Sequence, residues 1–280
     1  MVSALEAHHA NGLNDHASAT ARFVAAHIVL LGPVEHAKFG IPEAQIEWTV
    51  RCLEVCGWSR AALTSRRWQW ISSVVERFSI PGIRAHYVLR KRLIEREARR
   101  AIDEGFRQIV VIAGGLDVLA IRLAEEFREI RFLELDHPAT QRIKMATLQR
   151  WGCPPNLTLL PLDLTTNRIE VPEARTLFIA EGVLMYLNEV DVGSVLRSLR
   201  GRVILTAMES LDGFRGSSPL VRGWLRRQGE PFRWAIDRER ISPFLTQHGL
   251  SLQHIYASAE IRELAPGQRV AEGEVIIVAE

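Results

Sequence analysis

The chain has 280 residues, 47% of them hydrophobic, and carries 35 Lys and Arg against 33 Asp and Glu. That near-balance gives no whole-surface attraction for nucleic acid or an anionic membrane, though it leaves room for a local patch. No apolar run is long enough to span a bilayer. Cys52, Cys56 and Cys153 are an odd set that excludes a disulfide framework, and the polar opening MVSALEAHHANGLNDH has no secretory pattern, so the expected location is the cytoplasm.

Residues 1–15, polar and punctuated by Asn-Gly and Asn-Asp, are expected to be disordered. From Ala17 to about Phe78 the text is helical, broken at Gly32-Pro33 and Gly40-Ile41-Pro42. Trp48, Trp58, Trp68 and Trp70 fall here and read as packing within a helical cap over 16–104, with a substrate lining as the alternative. After Pro81-Gly82 a helix is predicted from Ala85 to Glu104, with Tyr87, Ile94, Ala98 and Ala101 on one face. Gly105 ends it. Arg90, Lys91, Arg92, Arg96, Arg99 and Arg100 on this helix, interspersed with Glu95 and Glu97, read as a solvated face.

The pattern then changes, and residues 105–280 read as one α/β domain. Gln108–Ala113 is a β-branched run suited to a central parallel strand. A helix (Asp117–Arg128), a strand (Ile130–Leu135), a helix (Ala139–Trp151) and strands at Leu157–Leu160 and Thr176–Ala180 follow. A helix (Asn188–Leu199) and a strand (Val203–Met208) complete the alternation. Such spacing predicts βαβ units in a mainly parallel, doubly wound, Rossmann-like sheet with its ligand at the carboxyl ends of the strands. An irregular insertion is expected at about 209–236, then a helix (Asp237–His248). Two late strands, Ser251–Tyr256 and Glu274–Val278, joined by a loop with Pro266-Gly267, are expected to pair antiparallel, a finish more typical of methyltransferases than of dehydrogenases.

Chemistry-bearing residues gather where the strands end. The first strand runs into Ala113-Gly114-Gly115-Leu116-Asp117, a glycine pair that lets backbone approach a nucleoside closely. The full G-x-G-x-x-G is absent, and a cofactor without phosphate tolerates both the shorter loop and acidic Asp117. Glu134 and Asp136 share one side of the second strand. An acid about 20 residues after the loop is the usual acceptor for ribose hydroxyls, and Asp136, nearer the tip, is preferred. Asp163-Leu164 suits an adenine, with a turn acid as the alternative. An apolar strand delivers Glu181 to its tip, where a buried carboxylate needs a cation or donors.

The segments QIVVIAGGLDVLAIRLAEEF, IRFLELDHPATQRIKMATL, DL and LFIAEGVLMYL resemble, in order and spacing, the leucine carboxyl methyltransferase-like family over about residues 81–200. Weaker likeness lies in SATARFVA (18–25) and GEPFRWAI (229–236). The resemblance implies a class I methyltransferase fold, S-adenosylmethionine as donor, and carboxyl groups as acceptors. It also implies that Gly115 and its neighbours Ala113, Gly114 and Asp117 form the methionine-side loop. Asp136 would hold the ribose, Asp163 and Leu164 the adenine, Glu181 the amino group and Arg84 the methionine carboxylate. Ala113 departs from the family's first Gly, Val118-Leu119 from its Thr-Arg, and Ala21 stands where the eukaryotic branch has Lys.

The expected partner is a small-molecule or peptide carboxylate, with Tyr186 and Arg222 on the acceptor side and no nucleic acid, membrane or metal. A carboxylate is ionised near neutral pH and needs no general base. A hydroxyl acceptor, as in natural-product O-methylation, would need one, with His137 or Tyr186 nearest. The rivals are a non-catalytic S-adenosylmethionine- or nucleoside-binding protein and an NAD-dependent oxidoreductase.

Overall fold

The computed structural model describes residues 18–164, 169, 171 and 174–280, so the stretch expected to be disordered (1–15) lies outside the described residues. Five strands pair in parallel: β1 (Gln108–Ile112), β2 (Arg131–Asp136), β3 (Leu157–Pro161), β4 (Thr176–Ala180) and β5 (Arg202–Met208). β7 (Glu274–Ala279) inserts antiparallel between β5 and β6 (Leu252–Tyr256), giving the order β3-β2-β1-β4-β5-β7-β6. The mainly parallel sheet with an antiparallel finish is the one the sequence predicts.

Strand alternation divides the core. Ile109 and Val111 of β1 and Leu177 and Ile179 of β4 pack on one face, where α1 (Ala19–Val29), α3 (Glu43–Val55), α6 (Ile83–Asp103), α7 (Leu119–Glu126) and α8 (Pro138–Trp151) contribute apolar side chains. Val110 and Ile112, with Phe178 and Ala180, face the other layer, built from α9 (Glu189–Ser198) and α11 (Arg238–Gln247). The N-terminal helices therefore share one core with the sheet. Among the described residues, no helix is long and apolar enough to cross a membrane.

Between α1 and α6 lie α2 (Pro33–Phe39), the short α4 (Arg60–Leu63) and α5 (Arg66–Ser79). The tryptophans of this region divide. Trp48 is core, its indole N–H donating to Glu125 at 3.2 Å, but Trp58, Trp68 and Trp70 are exposed, so the cap-packing reading fails for those three. Two further helices correct the sequence reading. Helix α10 (Pro219–Arg227) occupies the insertion expected to be irregular, started by Pro219 and by Ser218 Oγ, which accepts from Leu220 N at 3.3 Å. Helix α12 (Ser258–Glu263) sits in the expected loop between β6 and β7.

Helix α1 buries His27, whose Nδ1 donates to the Phe23 carbonyl at 2.9 Å and whose ring lies 3.8 Å from that of Phe23. Burial lowers its pKa to about 4. The unfolded chain then binds this proton more readily than the folded one, so stability is intact above the ordinary value of 6.5 and declines as pH falls from there toward 4. At about 1.4 kcal/mol per pH unit the loss approaches roughly 3 kcal/mol. Urea melts at a series of pH values should show this acid slope in the native chain and its flattening in His27→Phe.

Candidate functional site

The apolar strand β1 carries the chain to Ala113, whose amide donates to the Leu135 carbonyl at 2.6 Å and whose φ of +52° is unusual for a residue with a side chain. Gly115 follows at φ +58°. A Cβ on Gly114 would stand 2.9 Å from Glu134 Cδ, and one on Gly115 would stand 3.0 Å from Ala21 Cβ on α1. The glycine pair is thus required by close approach from two sides. Gly114→Ala should cost about 1–3 kcal/mol by overpacking against a side chain that cannot swing away, visible as a lower melting temperature.

That side chain is fixed because Glu134 is wholly buried against Lys144, whose Nζ lies 2.5 Å from Glu134 Oε1 and donates to the Asp117 carbonyl at 2.6 Å. Burial pushes the Glu134 carboxyl up to about 7 against the pull of Lys144. Its other oxygen has no hydrogen-bond partner among the described residues. Of the two acids on β2, Glu134 is therefore an interior strut, while Asp136 sits at the tip. Asp136 accepts from Gly115 N at 2.6 Å and from His137 N at 2.7 Å, one amide on each oxygen. A carboxylate offers about four acceptor positions, so lone pairs remain for a diol. Burial raises the Asp136 carboxyl pKa, opposed by Lys144 and the two amides.

Asp117 closes the loop, its N–H donating to Gly114 O at 2.8 Å and its Oδ1 accepting from Leu119 N at 3.0 Å. This turn starts α7 two residues later than the sequence reading. Lys91 of α6 bridges Asp117 Oδ2 at 2.7 Å and Glu181 Oε1 at 3.0 Å. Burial works against the low pKa of Asp117, but Lys91 and Lys144 outweigh it and hold the carboxyl below its usual range. Glu181 stands just beyond β4, and the same Oε1 receives Arg90 Nε at 2.9 Å and a second Arg90 nitrogen at 2.7 Å. The remaining Arg90 nitrogen reaches Glu274 Oε2 at 2.7 Å, an atom also bound by His86 Nε2 at 2.7 Å. Acids and cations alternate from β2 across the strand tips to β7.

The structure thus gathers Ala113, Gly114, Gly115, Asp117, Asp136 and Glu181 at one end of the sheet. Asp163 and Leu164 follow β3 in the next loop, where Leu162 N donates to Asp136 O at 2.7 Å. Arg84 donates through Nε to Glu76 at 2.5 Å and reaches the Leu30 carbonyl; the arginine that touches Glu181 is Arg90. The solvated-face reading of α6 is corrected for two positions, since Arg90 is 5% exposed and Lys91 is tied to two acids. Tyr186 lies beside Phe232, ring centroids 5.8 Å apart, and Arg222 pairs at the surface with Asp212.

Sequence reading did not find Lys91, Lys144 or Glu274, nor the role of Glu230. The Glu230 carboxylate accepts from the amides of Ala19 and Thr20, each at 3.0 Å, holding the start of α1 over the Gly115 loop. His137 Nδ1 accepts from Ala139 N at 3.3 Å and so caps α8. Among the described residues, no group of three or more metal-ligating side chains is present.

A sheet of this order with a bare glycine loop, an acid at the β2 tip and another beyond β4 defines a class I S-adenosylmethionine-dependent methyltransferase fold. The magnesium protoporphyrin IX methyltransferase ChlM of Synechocystis PCC 6803, solved with bound SAH, shares it. That likeness covers 84% of this chain and 94% of that one at a TM-score of 0.50 and 12% identity. Residues 43–200, more than half of the chain, match the leucine carboxyl methyltransferase family model, and the chain belongs to that family. One relative, YktD of Bacillus subtilis (strain 168), is 26% identical over 179 residues, 57% of this chain. Another, from Mycobacterium avium (strain 104), is 35% identical over 96 residues, 31% of this chain. Both bear the description "Putative S-adenosyl-L-methionine-dependent methyltransferase". The chain spans 59% of the length of the first and 31% of the second.

Proposed function

We propose that this chain is an S-adenosylmethionine-dependent methyltransferase that esterifies a carboxylate of a small molecule or peptide. The observation that carries this reading is the tight glycine loop set between the Asp136 carboxylate and the Asp117–Lys91–Glu181–Arg90 array. An amino-acid end brings an ammonium and a carboxylate together, and Glu181 flanked by Arg90 and Lys91 offers a partner for each. Asp136 keeps lone pairs for a ribose diol, and Asp163 with Leu164 would take the adenine. The bound cofactor supplies an electrophilic methyl on a sulfonium.

The chain's own contribution is alignment and exclusion of water. A carboxylate acceptor asks for no proton removal, and the nearby residues suit that. Burial pushes the Tyr186 phenol above its ordinary value, so it stays protonated near neutral pH and offers no phenolate as a base. The His137 ring nitrogen that could take a proton is engaged as a helix cap. These two observations favour the ester over the ether.

Methyl-labelled cofactor incubated with the protein and fractionated cell extract tests the reading. Label should enter acidic small molecules or peptides and leave as methanol in mild base. Stable label would overturn the carboxylate, and absence of transfer despite cofactor binding would favour a non-catalytic binder. Calorimetric binding of NAD in place of the cofactor would overturn the class.

A further inference from the structure

Helix α5 presents its apolar side to solvent. Trp68, Ile71, Val75 and Phe78 recur at steps of three and four and share one face. Trp68 is 49% exposed, Val75 46% and Phe78 76%, and Trp70, turned from Trp68 toward the flank of this face, is 68% exposed. The side turned toward the protein is polar. Ser72 is buried, the Gln69 amide lies close over Gly32, and Glu76 is held by Arg84. An amphipathic helix that packed for stability alone would turn the other way. The apolar surface continues onto α10, whose start is tied to the end of α5 by Ser218 N donating to Ser79 O at 2.8 Å, and Leu220 there is 82% exposed. Scattered exposed apolar residues are ordinary, but a contiguous face of Trp68, Ile71, Val75 and Phe78 flanked by Trp70 is a contact surface.

The exposed charges on these two helices have one sign. Arg66, Arg67 and Arg77 on α5 and Arg226 and Arg227 on α10 are exposed. The single acid of α5, Glu76, is the one held by Arg84, and α10 has none. Asp212 beside α10 is paired with Arg222. A second copy meeting this face about a two-fold axis would set arginine against arginine. Single-stranded nucleic acid would use the tryptophans, but it gains little from Ile71, Val75 and Leu220 on the convex surface of a helix.

We propose that α5 with the start of α10 is an interfacial element that lies on an anionic lipid bilayer. Trp68, Trp70, Val75, Phe78 and Leu220 enter the boundary between headgroups and acyl chains, and the arginines rest on lipid phosphates. The contact is peripheral and is independent of the reaction assigned above.

Co-sedimentation of the full chain with phosphatidylcholine vesicles, with and without phosphatidylglycerol, tests this. The chain should pellet with the anionic vesicles at low salt, with a blue shift of tryptophan emission, and be released as salt rises. Arg66→Gln, Arg67→Gln and Arg77→Gln should each weaken binding about fivefold. Trp70→Asp with Phe78→Asp should weaken it at least tenfold. Both sets change outward-facing side chains, so melting temperatures should stay at the native value. Failure to bind anionic vesicles, variants that bind like the native chain, a lipid-free dimer dissolved by Phe78→Asp, or tighter binding to single-stranded RNA than to vesicles would each overturn the proposal.

Discussion

Arg90→Leu is expected to destabilise the fold by about 3–5 kcal/mol, because removing one partner of a buried ion pair leaves uncompensated charge. For a chain of this size that is a drop in melting temperature of roughly 5–9 °C. Arg90 is the common partner of Glu181 and Glu274, and Glu274 is wholly buried with His86, among the described residues, left to hold it. The effect should depend on pH in a defined direction. Burial alone would push the Glu274 carboxyl up, but Arg90 and His86 outweigh it and hold it at about 2. A carboxyl held below its unfolded value of about 4.5 contributes stability above that pH and loses it as pH falls toward 2. The gap between native chain and variant should therefore be widest near neutrality and narrow below pH 4.5. A gap that stays constant down to pH 3, measured by thermal melts, would remove the electrostatic explanation. Arg90→Lys keeps the charge but not the fork that reaches two acids at once, and should recover only part of the loss.

The signal for Arg90 lay in the sequence. It falls three residues after Tyr87 and four before Ile94, both on the face read as apolar, so a charge there is turned toward the core and needs an acid. Reading the run of arginines as one solvated face hid this, because charge density says nothing about which members share the buried stripe. The strands were legible for the opposite reason. Ile109 to Ile112, Leu177 to Ala180 and Val203 to Leu205 are apolar on both faces, a demand a covered parallel sheet meets. Asp136 was legible because spacing and strand alternation place it at a tip. Helix α12 is too short to show a period, and α10, opening with Pro219 and carrying Gly223, reads locally as loop. Glu230 is beyond any local pattern, since the amides it binds are some 210 residues away along the chain.

Asp136→Ala combines a cofactor effect with a loop effect, and the two can be separated. Loss of the carboxylate leaves the amides of Gly115 and His137 without their acceptor, at about 1–3 kcal/mol for each that water cannot reach. In the pocket proposed above, the ribose hydroxyls would lose theirs as well. Affinity for S-adenosylhomocysteine, read by calorimetry, should fall at least tenfold and as much as a hundredfold, at about 1.4 kcal/mol per factor of ten. Asp136→Asn keeps one carbonyl oxygen. It can still satisfy one amide or one hydroxyl, but its NH2 sets donor against donor at the other amide, so it should lie between the native chain and the alanine variant in affinity and melt below the native chain. Because burial raises the Asp136 carboxyl, native affinity should begin to fall at a higher pH than an exposed aspartate would dictate, and the alanine variant should lack that acid limb. Equal affinity in all three proteins would mean that the ribose is held elsewhere, and with it the whole arrangement of nucleoside along the strand tips.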